Sequence, residues 1–303
     1  MHEEEDLTDS ILRYLDHLTQ KRMLSANTVE GYRRDLRLLT EYCAQNQLHC
    51  HNQIQPHHIR VLIAERHRKG SKSKTLQRLL ASVRGLFGFL IQQGQTQHNP
   101  AHGIRPPKGE KKLPHTLDVD QMNQLLNIDE SDPLAVRDLA ILELFYSSGL
   151  RLSELLNMQL ADYDPHERSV KVTGKGNKQR VVPVGRKAQQ AIANWLPLRD
   201  QFNPESNVLF VSQRGTHLHP STVQKRFKQW GIKQGIDRNV HPHLLRHSFA
   251  SHMLESSGDL RSVQELLGHA DISTTQIYTH LDFQHLAKVY DEAHPRAKKK
   301  KDS

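Results

Sequence analysis

The start and stop signals of one long helix lie in the stretch from Asp132 to Gly149, DPLAVRDLAILELFYSSG. Asp132 is a residue type that caps helix amino termini, and Pro133 suits a first helical position because no backbone N–H is needed there. Gly149 is typical of the residue just past a helix end. The stretch therefore predicts a helix over 133–148, followed closely by Arg151.

Apolar residues recur at helical spacing along most of the chain. In the first hundred residues the stripes are Leu7, Ile11, Leu15 and Leu18; Val29, Tyr32, Leu36 and Leu39; Ile59, Leu62 and Ile63; and Leu76, Leu79, Leu80, Val83, Phe87, Leu90 and Ile91. They predict a four-helix domain over residues 5–95. Further helical patterns lie at 118–127, 220–234, 243–256, 260–267 and 274–291.

One stretch of the second half alternates as a β-hairpin does. Residues 169–173 and 179–184 flank a glycine-rich turn that carries Lys175. The sequence therefore predicts a mainly α fold with one small antiparallel sheet.

The length of 303 residues favours two domains. The proline- and lysine-rich stretch 96–111 is expected to be a basic linker, because such proline density fits neither a helix nor a central strand. The second domain is expected over 112–295, and a lysine-rich basic tail over 296–303.

The charge balance indicates a polyanionic partner. The formal net charge is +9, which fits nucleic acid or an anionic membrane surface, and 36% hydrophobic residues favour a globular protein.

The acidic start does not resemble a signal peptide, and no uninterrupted apolar run reaches the ~18 residues of a membrane span. Two cysteines, Cys43 and Cys50, exclude a disulfide framework. We expect a cytoplasmic protein.

Basic residues concentrate where the third and fourth predicted helices meet. Few acidic residues interleave with them, which favours a phosphate-binding face over an ordinary solvated surface. The six residues that we expect to bind DNA are Arg66, Lys69, Lys72, Lys74, Arg78 and Arg84.

Several polar residues of the second half are unremarkable alone but fit together as the parts needed to attack a phosphodiester. Arg151 and Arg246 can grip phosphate oxygens at two points and stabilise the charge that builds on phosphorus. Tyr278 can form a covalent link that keeps the bond energy, and Lys175 can protonate a leaving 5′-oxygen.

Five segments with these residues resemble the tyrosine recombinase (phage integrase) family, in its Xer branch. The segments are Ser148–Leu155, Gly174–Arg180, His243–Ala250, Leu266–Ala270 and Ser273–His280. The resemblance implies a SAM-like amino-terminal DNA-binding domain and a catalytic domain that forms a 3′-phosphotyrosine intermediate without metal, ATP or another cofactor.

The resemblance also implies a role for each matching residue. Arg151 and Arg246 would clamp the phosphate, Lys175 would be the general acid, and Tyr278 would be the nucleophile. His243 would be a general base or a positioning group, and His269 a hydrogen-bond donor to phosphate.

Partners follow from the same resemblance. They are a duplex DNA recombination site, a paralogous recombinase in a heterotetramer, and a regulating DNA translocase of the FtsK kind. The implied role is the resolution of chromosome and plasmid dimers at bacterial cell division, at the nucleoid. Helically spaced Phe283, Leu286, Val289 and Tyr290 are expected to dock in trans on a partner.

Two alternatives from other classes remain open. Histidines such as His243 and His247, or His217, His219 and His241, could ligate zinc. The metalloprotease pattern needs Glu directly after the first His, where Leu244 stands. The other alternative is a non-catalytic DNA-binding protein, for which the basic helical domain would suffice.

Overall fold

The computed structural model describes residues 6–21, 26–108, 116–174, 179–267 and 289–296. The chain divides into two compact units, 1–112 and 113–303, and each has its own hydrophobic core. Helices dominate both units, and the second also contains a three-stranded antiparallel sheet, so the predicted fold class is confirmed. Among the described residues, none of the helices has the length and apolar character that a membrane crossing needs.

The amino-terminal unit contains the four predicted helices. They are α1 (Leu7–Gln20), α2 (Ala26–Gln45), α3 (Pro56–Arg68) and α4 (Ser73–Gln92). The apolar stripes of the sequence form their buried faces, except that Ile91 at the end of α4 is 40% exposed. Burial of this kind is the main stabilising contribution to a helical core.

Gly85 allows α1 and α4 to approach closely. A Cβ atom at this position would lie 2.0 Å from the phenolic oxygen of Tyr14, which is 3% exposed. Any larger residue would therefore force the two helices apart or displace the tyrosine ring.

The stretch after α4 packs on the amino-terminal core for part of its length. Ala101 and Ile104 are buried there, and Arg84 Nε donates to the Ala101 carbonyl at 3.0 Å. Residues 109–115 of the predicted linker region lie outside the described residues.

The carboxyl-terminal unit contains seven further α-helices whose bounds are described, besides the helical residues 289–293. They are α5 (Val119–Leu125), α6 (Pro133–Ser148), α7 (Leu152–Asn157), α8 (Arg186–Arg199), α9 (Pro220–Lys233), α10 (Pro242–Ser257) and α11 (Leu260–Leu267). Helix α6 begins as predicted, with the Asp132 carboxylate accepting from the Leu134 N–H at 3.2 Å. It ends as predicted at Gly149, which has a φ of 56°.

The sheet consists of β1 (Tyr163–Asp164), β2 (Ser169–Thr173) and β3 (Gln179–Pro183) in sequential antiparallel order. The β2–β3 hairpin is the predicted one, with Val170 opposite Val182. Strand β1 and helices α7 and α8 were not predicted. Strand β1 and helix α7 are too short to show a periodic pattern of apolar residues. Helix α8 does carry an apolar stripe, but it has Pro197 within it.

The last described segment, 289–296, packs against α6 of its own unit. Tyr290 is 1% exposed and its hydroxyl lies 2.7 Å from Ser147 Oγ, while His294 Nε2 lies 3.1 Å from the Tyr146 carbonyl oxygen. Docking of Tyr290 on a partner is therefore wrong for this structure, because its ring belongs to its own core. The rest of the expected docking helix, 283–288, lies outside the described residues.

Candidate active site

An open cleft of about 850 Å³ in the carboxyl-terminal unit collects three of the predicted catalytic residues. Arg151, His243 and Arg246 all line it. Its wall is built from the amino-terminal ends of α7 and α10 and one face of α9, which adds the exposed Lys225 and Lys228. Among the described residues that line the cleft there are several positive groups and no aspartate or glutamate, so this part of it suits an anionic ligand.

Arg151 occupies the N-cap position of α7, directly after the turn that ends α6. Its backbone N–H and its guanidinium NH1 donate to the two carboxylate oxygens of Glu154, at 2.8 and 2.7 Å. The side chain remains 39% exposed at the cleft. One carboxylate therefore fixes both the backbone and the side chain of this arginine.

Arg246 is held from the other side by two backbone carbonyls. Its NH1 donates to the Gly149 carbonyl, and its NH2 donates to the Leu267 carbonyl at 2.6 Å. Burial, followed by the nearby positive charge of Arg151, lowers the pKa of Arg246 to about 10. The guanidinium stays protonated at neutral pH, but its charge is poorly solvated, which favours binding of an anion.

His243 is exposed on the first turn of α10, at the edge of the cleft. The neighbouring His241 caps this helix, with Nδ1 accepting from the Leu244 N–H at 3.1 Å. Burial first, then the charges of His243 and His247, lower the pKa of His241. His241 thus has a capping role that the sequence interpretation missed.

Glu154 and Arg180 are also part of the site but were not among the predicted site residues. Glu154 is 5% exposed, and Arg180 of β3 donates to it at 2.8 and 3.0 Å, through NH1 and NH2 respectively. The Arg151–Glu154 spacing, one helical turn, was a visible signal, whereas the contact with Arg180 joins residues 26 positions apart. Lys225 and Lys228 were also missed.

Three predicted catalytic residues, Lys175, His269 and Tyr278, lie outside the described residues. Two described elements that adjoin Lys175 and His269 in the sequence contact the arginines of the site. Strand β3, which follows the Lys175 turn, carries Arg180, and α11 ends at Leu267, whose carbonyl accepts from Arg246.

The six predicted DNA-binding residues of the amino-terminal unit differ in their surroundings. Lys69, Lys72 and Lys74 are exposed, and Arg66 is half-buried. Arg78 forms a two-point ion pair with the buried Asp35 at 2.8 and 3.0 Å, yet its side chain is 46% exposed. Arg84 is half-buried and donates to the carbonyls of Ala101 and Ile104.

Histidines do not assemble into a metal-binding cluster in the part of the chain that the structure describes. No group of three or more His, Cys, Asp or Glu side chains there is placed to hold a metal ion. The described residues include all five histidines of the zinc alternative.

Comparisons with known proteins identify the family of the chain. Residues 115–285 match the phage integrase family, and residues 11–94 match the phage integrase, N-terminal SAM-like domain. Tyrosine recombinase XerC of Pseudomonas savastanoi pv. phaseolicola is 55% identical over 95% of this chain and 96% of its own length. The XerC of Stutzerimonas stutzeri is 54% identical over 96% of this chain and 97% of its own length.

A solved structure agrees at the level of the fold. The XerH site-specific recombinase bound to its difH substrate, in a pre-cleavage complex, is 20% identical with a TM-score of 0.68, over 93% of this chain and 82% of that one. The family matches and the XerC relatives establish more than the fold. The chain therefore belongs to the phage integrase family and is a tyrosine recombinase, an enzyme of site-specific DNA recombination.

Proposed function

We propose that the chain cuts and rejoins duplex DNA through a 3′-phosphotyrosine intermediate formed by Tyr278. The observation that carries this proposal is the cleft in which Arg151, Arg246 and His243 converge. Two guanidinium groups in one wall suit a phosphate whose negative charge increases as a fifth oxygen approaches.

In the proposed reaction, the phenolic oxygen of Tyr278 attacks the scissile phosphorus, and the bond from phosphorus to the 5′-oxygen breaks. The phenol loses its proton, with His243 as the base or as a group that positions the phosphate, and Lys175 protonates the leaving 5′-oxygen. His269 donates a hydrogen bond to the phosphate. The reverse attack by a 5′-hydroxyl of the exchanged strand reseals the DNA and frees the tyrosine, so neither ATP nor a metal ion is consumed.

We propose further that the chain works with a paralogue that resembles XerD. Two copies of each would form a heterotetramer on a recombination site and resolve chromosome and plasmid dimers at cell division, under a DNA translocase of the FtsK kind. The support is the 52–55% identity to several bacterial XerC proteins. This role places the protein at the nucleoid, in the cytoplasm.

The amino-terminal unit would supply a second DNA contact. Its exposed Lys69, Lys72 and Lys74 lie around the α3–α4 turn and fit a phosphate backbone better than base edges, because lysine is a flexible point charge.

A nicked suicide substrate tests the proposed reaction in the wild-type protein. We expect a protein–DNA adduct that resists denaturation, that forms equally in excess EDTA, and that peptide mass mapping locates on Tyr278. DNA binding without an adduct would favour the non-catalytic alternative, and loss of the adduct in EDTA with recovery on adding zinc would favour the metal alternative.

Lys175→Ala should slow adduct formation by about 10²–10⁴-fold on an ordinary substrate, because the leaving oxygen then departs without a proton donor. A substrate with sulfur in the scissile 5′-bridging position should restore most of the rate, since a thiolate leaves unprotonated. The paired substrates are compared in one time course. Equal defects on oxygen and sulfur would assign Lys175 to DNA binding instead.

A further inference from the structure

Glu154 is a buried carboxylate shared between two arginines of different elements. Its Oε1 accepts from Arg151 NH1 at 2.7 Å and from Arg180 NH1 at 2.8 Å. Its Oε2 accepts from the Arg151 backbone N–H at 2.8 Å and from Arg180 NH2 at 3.0 Å. Both oxygens are thus used twice, and the Glu154 side chain is only 1% exposed.

We propose that Arg180 is a positioning residue that neutralises Glu154 and so keeps the charge of Arg151 available to the DNA phosphate. This inference rests on the proposed cleavage reaction. Glu154 is needed to orient Arg151, but a carboxylate in direct contact also competes with phosphate for the same guanidinium. The charges of Arg151 and Glu154 cancel within that pair, and Arg180 adds one positive charge next to the same carboxylate.

The side chains of Arg180 and Arg151 differ in burial, as expected if Arg180 neutralises Glu154 and Arg151 binds the phosphate. The Arg180 side chain is 7% exposed and Arg180 does not line the cleft, so its charge interacts with Glu154 and not with a ligand in the cleft. The Arg151 side chain is 39% exposed and lines the cleft. Charges in a low-dielectric interior interact strongly, so the inner arginine offsets the carboxylate effectively.

The electrostatics of Glu154 agree with this geometry. Burial alone would raise its pKa, but the hydrogen bonds and charge of Arg180, followed by the backbone and side-chain hydrogen bonds of Arg151, outweigh burial and lower the pKa to about 2. Glu154 is therefore an anion throughout the neutral range, and without Arg180 its remaining hydrogen-bond donors would be the backbone N–H and NH1 of Arg151.

Arg180 also connects this cluster to the second clamp. Its Nε donates to the Leu266 carbonyl at 3.2 Å, and the next carbonyl, that of Leu267, accepts from Arg246. These are carbonyls of the last turn of α11, which have no partner within the helix. Arg180 can therefore support both arginines of the cleft from behind without touching the substrate.

The test is the rate of adduct formation on a suicide substrate at saturating protein. We expect Arg180→Met to reduce this rate by about 10²-fold, in the range seen when one charge-stabilising group is lost, with half-site affinity reduced much less. Adding Glu154→Gln to Arg180→Met should raise the rate at least about tenfold, because the unbalanced carboxylate is removed. An Arg180 that only supports the fold predicts instead a lower melting temperature in Arg180→Met, with the rate of the folded protein unchanged, and a double variant that recovers melting temperature without a change in rate.

Arg180→Lys gives a second comparison that does not leave a buried charge unbalanced. Its ammonium still neutralises Glu154, so adding Glu154→Gln to Arg180→Lys should not accelerate the reaction. Acceleration in this lysine background, or none in the methionine background, would overturn the proposal. If Arg180→Met fails to fold, the double variant Arg180→Met with Glu154→Gln and the two lysine variants still show whether removing the carboxylate speeds or slows adduct formation.

Arg199→Met is the matched control. Arg199 is equally buried in the same unit, and it donates to the Val208 and Ser206 carbonyls at 3.0 and 2.7 Å, but it does not line the cleft. We expect a lower melting temperature with an unchanged cleavage rate below it. A wild-type protein that forms no adduct would overturn the proposed function itself, whereas a wild-type rate in Arg180→Met would overturn this inference alone.

Discussion

Tyr278→Phe should bind its DNA half-site with wild-type affinity and form no detectable covalent adduct. The substitution removes one oxygen and keeps the ring, so the surface that meets the DNA is nearly unchanged, while the attacking atom is lost. The measurement is a mobility shift for binding, paired with a denaturing gel for the adduct on a suicide substrate. Residual adduct at the wild-type level would show that another residue is the nucleophile.

The other six tyrosines are poorly placed to replace Tyr278. Tyr14, Tyr42, Tyr146 and Tyr290 are each at most 5% exposed. Burial raises the pKa of Tyr290, which makes its phenolate still less accessible. Tyr32 and Tyr163 are partly buried against the two cores.

Tyr163→Phe is the suitable control for this prediction, because Tyr163 belongs to the catalytic unit and β1 but does not line the cleft. The control should form adduct at the wild-type rate. A comparable loss in both variants would mean that removing a tyrosine hydroxyl disturbs the unit in general, and the assignment of Tyr278 would then have no support from this experiment.

The parts of the fold that could be predicted are those with local signals. Asp132 and Gly149 delimit α6 by chemistry that acts within a few residues, and the hairpin alternates along its own strands. The Arg151–Glu154–Arg180 cluster could not be derived in this way, since it depends on how β3 packs beside α7. Nor does an apolar stripe reveal its partner, and Tyr290 accordingly packs on its own unit.

In the site, too, the residue types that the chemistry requires could be predicted, whereas the contacts that hold them in place could not. Arg151 and Arg246 were recognised as a pair because phosphate chemistry needs two such groups, and both do line one cleft. A cation close to a helix end can satisfy the backbone carbonyls left without a partner there, and Arg151 closely follows the end of α6 in the sequence. In the structure Arg246 donates to the Gly149 carbonyl, so a residue 97 positions away fills that role. Local spacing has no information about such a contact.

Arg246→Lys should reduce adduct formation by at least about 10²–10³-fold, the loss typical of removing one group that stabilises transition-state charge. Arg246 must contact the carbonyls of Gly149 and Leu267 and still present N–H groups to the phosphate. A planar guanidinium with five donors can do this, whereas an ammonium is a single point with three. The measurement is the single-turnover rate at saturating DNA, where weaker binding does not contribute.

Arg246→Lys should also acquire a pH dependence that the wild type lacks at this position. Burial and the charge of Arg151 lower the pKa of the arginine to about 10, so it stays charged through the neutral range. The same surroundings would lower the pKa of a lysine from ~10.4 toward neutrality. Because the charged form stabilises the phosphate, the residual rate, relative to wild type, should fall as pH rises from about 7 to 9. Arg199→Lys, a buried position away from the cleft, is the control and should show no such fall. A pH-independent ratio would mean that the lysine keeps its charge and that geometry alone accounts for the loss.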